Sequence, residues 1–289
     1  MINFVAFFPG NTLSWCGLYG RVSEWLKEHA WKACVRENVP WVRIPPLPPF
    51  FPLWISQMAN QLKQIRSILQ SYADNSTCAP AIFFKTGPGQ YSEHDKFIGV
   101  SVPNLRKIGK EFRDLPMDQI QSLLESPVNE ERFLALILLV ENYAKGNEAQ
   151  KEIVFQHYLN NLKHVNNWNL VDASAHLIVG AHLSKKDKSL LLKLAKSQVM
   201  WERRVAIVST WYFIRQNEHE WTVQIAELLL KDSHDLIHKA VGWMLREAGK
   251  KDQQVLIKFL EKHSKQMPRT MLRYAIEKFS EEERRNYLK

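Results

Sequence analysis

Three cysteines in 289 residues, Cys16, Cys34 and Cys78, share no metal-ligand spacing such as CxxC. They point to a reducing compartment and away from a cysteine-rich metal site. The ten histidines form no HExxH or related pattern, so no metal and no cofactor is expected. No apolar run reaches the roughly 18 residues needed to span a bilayer. The opening MINFVAFFPG has no charged stretch ahead of its apolar part, so a signal peptide is not expected. The glycine-containing KTGPGQYSEHDKF (85–97) has neither the spacing nor the Ser/Thr of a phosphate-binding loop and reads as a connector. No run alternates as a strand would. What is present is apolar content of 45%, enough for a substantial core, and a net charge of +9. A balance this basic favours a polyanionic partner.

Residues 1–57 stand apart. They hold seven of the thirteen prolines, five of the ten tryptophans and two of the three cysteines. They run into WVRIPPLPPFFPLW, a pattern that predicts neither helix nor paired strand, because proline removes a donor and fixes φ. Codon degeneracy offers a reading beyond a Pro-rich arm. His29-Ala-Trp-Lys-Ala-Cys34 can be written CAC GCT TGG AAA GCG TGT, where CACGC pairs with GCGTG around TTGGAAA, an anticodon arm with the serine anticodon GGA. Val42-Arg-Ile-Pro-Pro46 can be GTT CGA ATC CCN CCN, which contains the T-loop TTCGAAT. The segment resembles a translated serine tRNA gene, with the protein proper expected to start at Met58 and form one domain over 58–289. The DNA sequence tests this: codons that fail to build both stems rule it out. Without residues 1–57 the remainder keeps 34 basic and 27 acidic residues, so the positive charge belongs to the body.

From Met58 onward the apolar pattern is helical. LLESPVNEERFLALILLVENYAK, VMWERRVAIVSTWYFI and DLIHKAVGWMLREAGK place apolar residues three and four apart. Ser126-Pro127, Lys145-Gly146 and Gly249 read as turn signals between helices, and Met267-Pro-Arg-Thr as the start of the last helix. The segments LLESPVNEERFLA, LAKSQVMWERRVA and LLKDSHDLIHKAV also resemble one another. Aligning them puts Arg132, Trp168, Arg204, Lys239 and Arg273 at equivalent points of successive second helices, 36, 36, 35 and 34 residues apart. That period predicts an all-α fold: a right-handed α-solenoid of HEAT-like helix pairs, each burying its apolar face against its neighbours. The Trp-Leu-Gly and Thr-Pro-Leu-His signatures of TPR and ankyrin repeats are absent. Equivalent positions should line one surface, so this row, reinforced by Arg203 and Arg246, predicts a basic concave face suited to a phosphate backbone. Any one of these cations could instead bridge two repeats.

Within HVNNWNLVDASAH (164–176), Trp168 and Asp172 stand one helical turn apart and share a face. Taken singly, an aromatic on a helix is most often core and a carboxylate often pairs with an arginine. Trp168, Arg204, and Lys239 with Trp243 nevertheless fall at one phase of three consecutive repeats. They are expected to converge on one patch, with Asp172 between the indoles.

These motifs carry a resemblance. Trp168-Asn-Leu-Val-Asp172, Trp201-Glu-Arg-Arg204 and Lys239-Ala-Val-Gly-Trp243-Met-Leu-Arg-Glu247, with the looser Phe97-Ile-Gly-Val-Ser-Val-Pro-Asn-Leu-Arg106, occur in this order. From about Phe83 to Tyr287 the chain resembles the AlkD-type DNA glycosylases, alkylation-repair enzymes built from HEAT-like repeats. Asn169 departs from the acid usual in that pattern. The resemblance implies a monofunctional glycosylase of base excision repair acting on N3- and N7-alkylated purines in duplex DNA, without enclosing a flipped base. It implies Asp172 as the catalytic carboxylate, Trp168 and Trp243 as aromatics at the lesion's deoxyribose, and Arg204 as a phosphate ligand. With the resemblance, Arg203, Arg132, Lys239, Arg246, Arg273 and Arg106 are expected to contact DNA. No cofactor, metal or membrane enters this reading, which describes a monomer in the cytoplasm of a bacterium, held at the nucleoid by its DNA. The alternative is a non-catalytic HEAT-like protein that binds damaged or branched DNA, or a protein partner, through the same face.

Overall fold

The computed structural model describes residues 51–73 and 83–289. The readings of 1–50 and the three cysteines lie outside the described residues. The chain divides into two compact units, Met1–Lys63 and Gln64–Lys289. Of the first, residues 51–63 are described, and they are helical: α1 (Phe51–Tyr72) begins inside the proline-rich stretch. The expectation that WVRIPPLPPFFPLW forms no helix is therefore corrected at 51–54. Pro52 falls in the first turn, where a backbone N–H has no intrahelical partner to lose.

In the second unit the helices after α1 are α2 (Val102–Glu111), α3 (Met117–Leu124), α4 (Asn129–Lys145) and α5 (Glu148–Asn160). Next, α6 (Trp168–Ala175) runs through a π-helical stretch, His176–Gly180, into α7 (Ala181–Leu183). There follow α8 (Ser189–Ala195), α9 (Met200–Ser209), α10 (Trp211–Ile214), α11 (Glu220–Leu228) and α12 (Asp235–Lys251). The chain ends with α13 (Gln253–His263), α14 (Arg269–Ala275) and α15 (Glu281–Leu288). Among the described residues the single β-type pairing is an isolated bridge between Lys96 and Val128. The fold is all-α, as the periodicity predicts.

Local chemistry sets several of these boundaries. Asn147 and Gln150 form a reciprocal capping box at the start of α5, and Ser280 with Glu283 does the same for α15. Gly146 ends α4, as its turn signal predicts. Gly249 does not end a helix; it lies within α12, where a Cβ would come within 2.6 Å of Leu256 on α13. It is there for close approach, not for a turn. Pro268 caps α14, which is followed by α15 and so is not the last helix.

The second helices α4, α6, α9, α12 and α14 form a row, each packed on the next, while α3, α8 and α11 pack on the second helices of their own pairs and α13 packs back on α12. This is the neighbour-only contact pattern of stacked helix pairs. Fully buried Leu134, Leu138, Val171, Val205, Ile207, Val241, Met244 and Leu245 line it.

The helix caps correct the register read from the sequence. Counted from Val128, Asn167, Val199, His234 and Pro268, the fifth positions are Phe133, Asp172, Arg204, Lys239 and Arg273. Trp168 stands one turn earlier, at the first position, and Arg132 at the fourth. The fourth position is a structural device. Arg132 donates to the Ser126 carbonyl, Arg203 to that of Ser197, and the His238 ring pairs with that of Asp232, each six residues back. Each bond closes the loop that leads into its helix.

Close backbone approach holds the row together. A Cβ on Gly180 would lie 2.3 Å from the Ser209 carbonyl oxygen, and one on Gly242 2.4 Å from that of Met271. The obstructing atoms are backbone and cannot rotate away. Gly180→Ala and Gly242→Ala should each lower stability by about 2 kcal/mol or more through forced separation of adjacent helices. Gly109→Ala meets the Ile137 side chain instead, and should cost less in denaturant unfolding.

Candidate functional site

The starts of α6, α9 and α12 converge on a pocket of about 670 Å³. Helix α6 brings Trp168 and Asp172; α9 brings Arg204; α12 brings Lys239, Trp243 and Arg246. Six of the ten site residues expected from the sequence thus share one cavity. His234, Asp235 and Leu236 at the start of α12, Tyr274 of α14 and several residues of 83–91 complete its lining.

Asp172 and Arg204 form its centre. The guanidinium meets the carboxylate as a fork, Nε to Oδ1 at 2.9 Å and Nη2 to Oδ2 at 2.8 Å. Its Nη1 donates to the Leu236 carbonyl at the start of α12. The Arg204 side chain is 5% exposed and that of Asp172 20%, so the cation is sequestered and the acid still reaches the cavity. Three of the five donors of Arg204 are committed within the protein, which leaves two for the phosphate contact expected of it.

Lys239 and Arg246 at the pocket are also paired. Lys239 holds Asp235 at 2.7 Å, one turn back on α12, and this hydrogen bond raises the lysine pKa. Arg246 meets Glu247 at 3.1 Å and also Glu277. The four remaining residues lie outside the lining. Arg132 is buried and ion-paired with Asp95, and Arg203 holds Asp232 at 2.6 Å. Both are structural cations, because each is spent on an acid and on a loop carbonyl. Arg106 on α2 and Arg273 on α14 are exposed. The basic row of the sequence is therefore a set of ion pairs where it meets the pocket.

Both indoles are held by other rings. Trp168 begins α6, its backbone N–H capped by Asn167 Oδ1 at 2.7 Å. Its ring stacks on Phe84 with centroids 5.1 Å apart and planes 19° apart. Trp243 meets Trp211 edge-on at 5.0 Å, and Trp211 is backed by His176 at 4.5 Å and Arg215 at 4.4 Å. Asn169 lies off the pocket. It donates to Asn129 Oδ1 at 2.7 Å, within the polar network around Asp95.

Sequence reasoning missed the wall supplied by residues 83–91, which include Phe83, Phe84, Lys85 and Tyr91 at the pocket. The reading of 85–97 as a mere connector is corrected, because its first residues line the pocket. The signal was present as aromatics flanking Gly-Pro-Gly. Gln90 N–H donates to the Gly87 carbonyl at 3.0 Å, Pro88 follows Gly87, and Gly89 has φ of 72°. That is a type II turn, whose third position needs glycine. It folds the strip back so that Tyr91 OH donates to the Phe83 carbonyl and Tyr91 meets Trp201 edge-on at 6.1 Å.

A profile of the DNA alkylation repair enzyme family matches residues 65–279, a span that contains the whole pocket. The chain belongs to the DNA alkylation repair enzyme family. A solved structure from Enterococcus faecalis, described as a predicted DNA alkylation repair enzyme, is similar in fold. The likeness has a TM-score of 0.53 at 16% identity and covers 66% of this chain and 92% of that one. No curated protein matches the chain. Membership of the DNA alkylation repair enzyme family ties this chain to the repair of alkylated DNA. Among the described residues no helix is long and apolar enough to cross a membrane, and no cluster of His, Cys, Asp and Glu could hold a metal ion.

His176, behind Trp211, makes the site sensitive to acid. Burial, then the charge of Arg215, push its pKa down to about 4, against a smaller opposing effect of the Asp172 backbone. Because the unfolded imidazole titrates near 6.5, the unfolded state binds the extra proton first as pH falls. The stability is complete above about pH 6.5 and is lost as pH drops toward 4, on the order of 3 kcal/mol from this residue. Burial depresses His157, His164, His182, His219 and His234 in the same direction. Thermal melts should show Tm falling between pH 6.5 and 4.5, with His176→Gln flattening part of that slope.

Proposed function

We propose that this pocket is the active centre of a DNA glycosylase that hydrolyses the N-glycosidic bond of cationic N3- or N7-alkylated purines in duplex DNA. The observation that carries the reading is Asp172: a carboxylate held in a fixed plane by Arg204, partly exposed, in a cavity that also contains Trp168 and Trp243.

The chemistry suits this sparse set. Alkylation at N3 or N7 leaves the purine cationic, so it departs as a neutral base with the bonding electron pair and needs no general acid. Ordinary glycoside hydrolysis needs two carboxyls because its leaving oxygen must be protonated. One suffices here. As the bond breaks, positive charge moves from the base to the sugar, and a carboxylate with electron-rich indoles beside it stabilises that charge more than the ground state. Each indole contributes roughly 0.5–2 kcal/mol by cation–π attraction. The arginine fork uses two of the roughly four lone-pair sites on Asp172. The others remain for the sugar or for the water that completes hydrolysis.

The pairing also weighs against a purely electrostatic binder. A surface selected only to hold phosphate gains nothing from an acid at its centre or from carboxylates on Lys239 and Arg246. Single-turnover release of 7-methylguanine or 3-methyladenine from alkylated duplex tests the reading directly. Asp172→Asn should slow release on the order of 100-fold while duplex affinity stays within a few-fold, with circular dichroism confirming the fold. Equal release by the two proteins would end the proposal.

A further inference from the structure

The strip from Phe83 to Phe97 belongs to the site, and its chemistry is more specific than a wall. Phe97, Phe84 and Trp168 form a continuous stack: Phe97 to Phe84 at 4.5 Å and 26°, Phe84 to Trp168 at 5.1 Å and 19°. Near-parallel rings at these separations are in the range where aromatic pairs attract beyond their buried area. Phe84 therefore occupies one face of the Trp168 indole and leaves only the other for a substrate. Trp168 stands at the first position of α6, where the helix itself grips a side chain least. Something else must fix its plane.

The strip is itself anchored. Asn167, the cap of α6, donates to Ser92 and Asp95. Glu130 of α4 accepts from the N–H groups of Ile98 at 3.0 Å and Gly99 at 2.9 Å, just beyond Phe97. Gly99 has φ of 79°, the conformation that lets the chain turn into that carboxylate. The stack is thus held at both ends, by α4 at Phe97 and by α6 at Trp168.

We propose that Phe84 is a positioning residue for the glycosylase reaction: its ring holds the Trp168 indole in the plane from which the free face meets the deoxyribose as charge develops there. The inference rests on the function proposed above, but its geometric half can be read without turnover. Three proteins serve: wild type, Phe84→Leu, which keeps apolar volume and removes the stacking face, and Phe84→Tyr, which restores it.

The first readout is ¹⁹F NMR of protein grown with 5-fluorotryptophan, with the Trp168 resonance assigned by its loss in Trp168→Phe. The ring current of Phe84 acts on that resonance, so Phe84→Leu should shift and broaden it and Phe84→Tyr should return it close to the wild-type position. The second is single-turnover excision beside affinity for a duplex containing a tetrahydrofuran abasic site. Phe84→Leu should lower the excision rate about tenfold, with affinity within about twofold and recovery in Phe84→Tyr. An unmoved Trp168 resonance in Phe84→Leu, or a moved resonance with an unchanged excision rate, overturns the positioning role. Wild-type protein that releases no methylated purine overturns the function instead, and the fluorine spectra then still decide whether Phe84 orders the indole.

Discussion

One guanidinium ties three consecutive repeats together. Arg204 leaves α9, grips Asp172 of α6 with two donors and reaches the Leu236 carbonyl at the start of α12 with a third. Burying an arginine is costly unless its charge and donors are matched, and removing one partner of such a pair leaves an uncompensated charge. The same bond orients the proposed catalytic acid and sets the spacing of the helices that carry both indoles. Site geometry and fold stability are therefore coupled at this point. A change to either residue acts on both, which is why affinity, rate and folding have to be read separately.

The internal pairing changes how the excess of positive charge meets DNA. At the pocket Lys239 and Arg246 already face carboxylates, so a phosphate that approaches either one exchanges one anion for another. Asp235 and Glu277 are 48% and 44% exposed and can yield. Asp172, only 20% exposed and held by two hydrogen bonds, yields least. Counterion release, the usual source of salt-dependent affinity, then falls mainly to exposed groups such as Arg106, Arg273 and Lys85. By this reading the rim binds and the centre reacts.

The all-helical architecture and the convergence of Trp168, Asp172, Arg204, Lys239 and Trp243 were legible because a helix period places them at one phase of stacked units. The register was legible only to within a turn. Arg203 and Arg204 are adjacent, and pattern alone does not say which one ends its loop and which one faces the next repeat. The pairing of each cation was not legible, since it depends on which carboxylate the packing brings near. Nor was the wall from 83 to 91. A loop has no period, and what places this one are bonds from Asn167 to Ser92 and Asp95, more than seventy residues along the chain. Gly249 shows the opposite failure: a residue that reads as a turn serves a tight helix crossing.

The corrected register also explains why the acid is where it is. Asp172 and Arg204 occupy the same fifth position of neighbouring second helices, a row that continues with Lys239 and Arg273. Equivalent positions of stacked helices are spatial neighbours, so a row of cations alone would repel itself along its length. An acid at one place in the row turns repulsion into a two-point ion pair with the next helix. Lys239, the next cation, is offset by Asp235 on its own helix instead. The acid in this row thus supplies the pocket with an oriented carboxylate whose partner is the equivalent residue of the next second helix. The proposed chemistry sits where an acid interrupts the cations of this row, and the neighbouring repeats supply the frame that holds it.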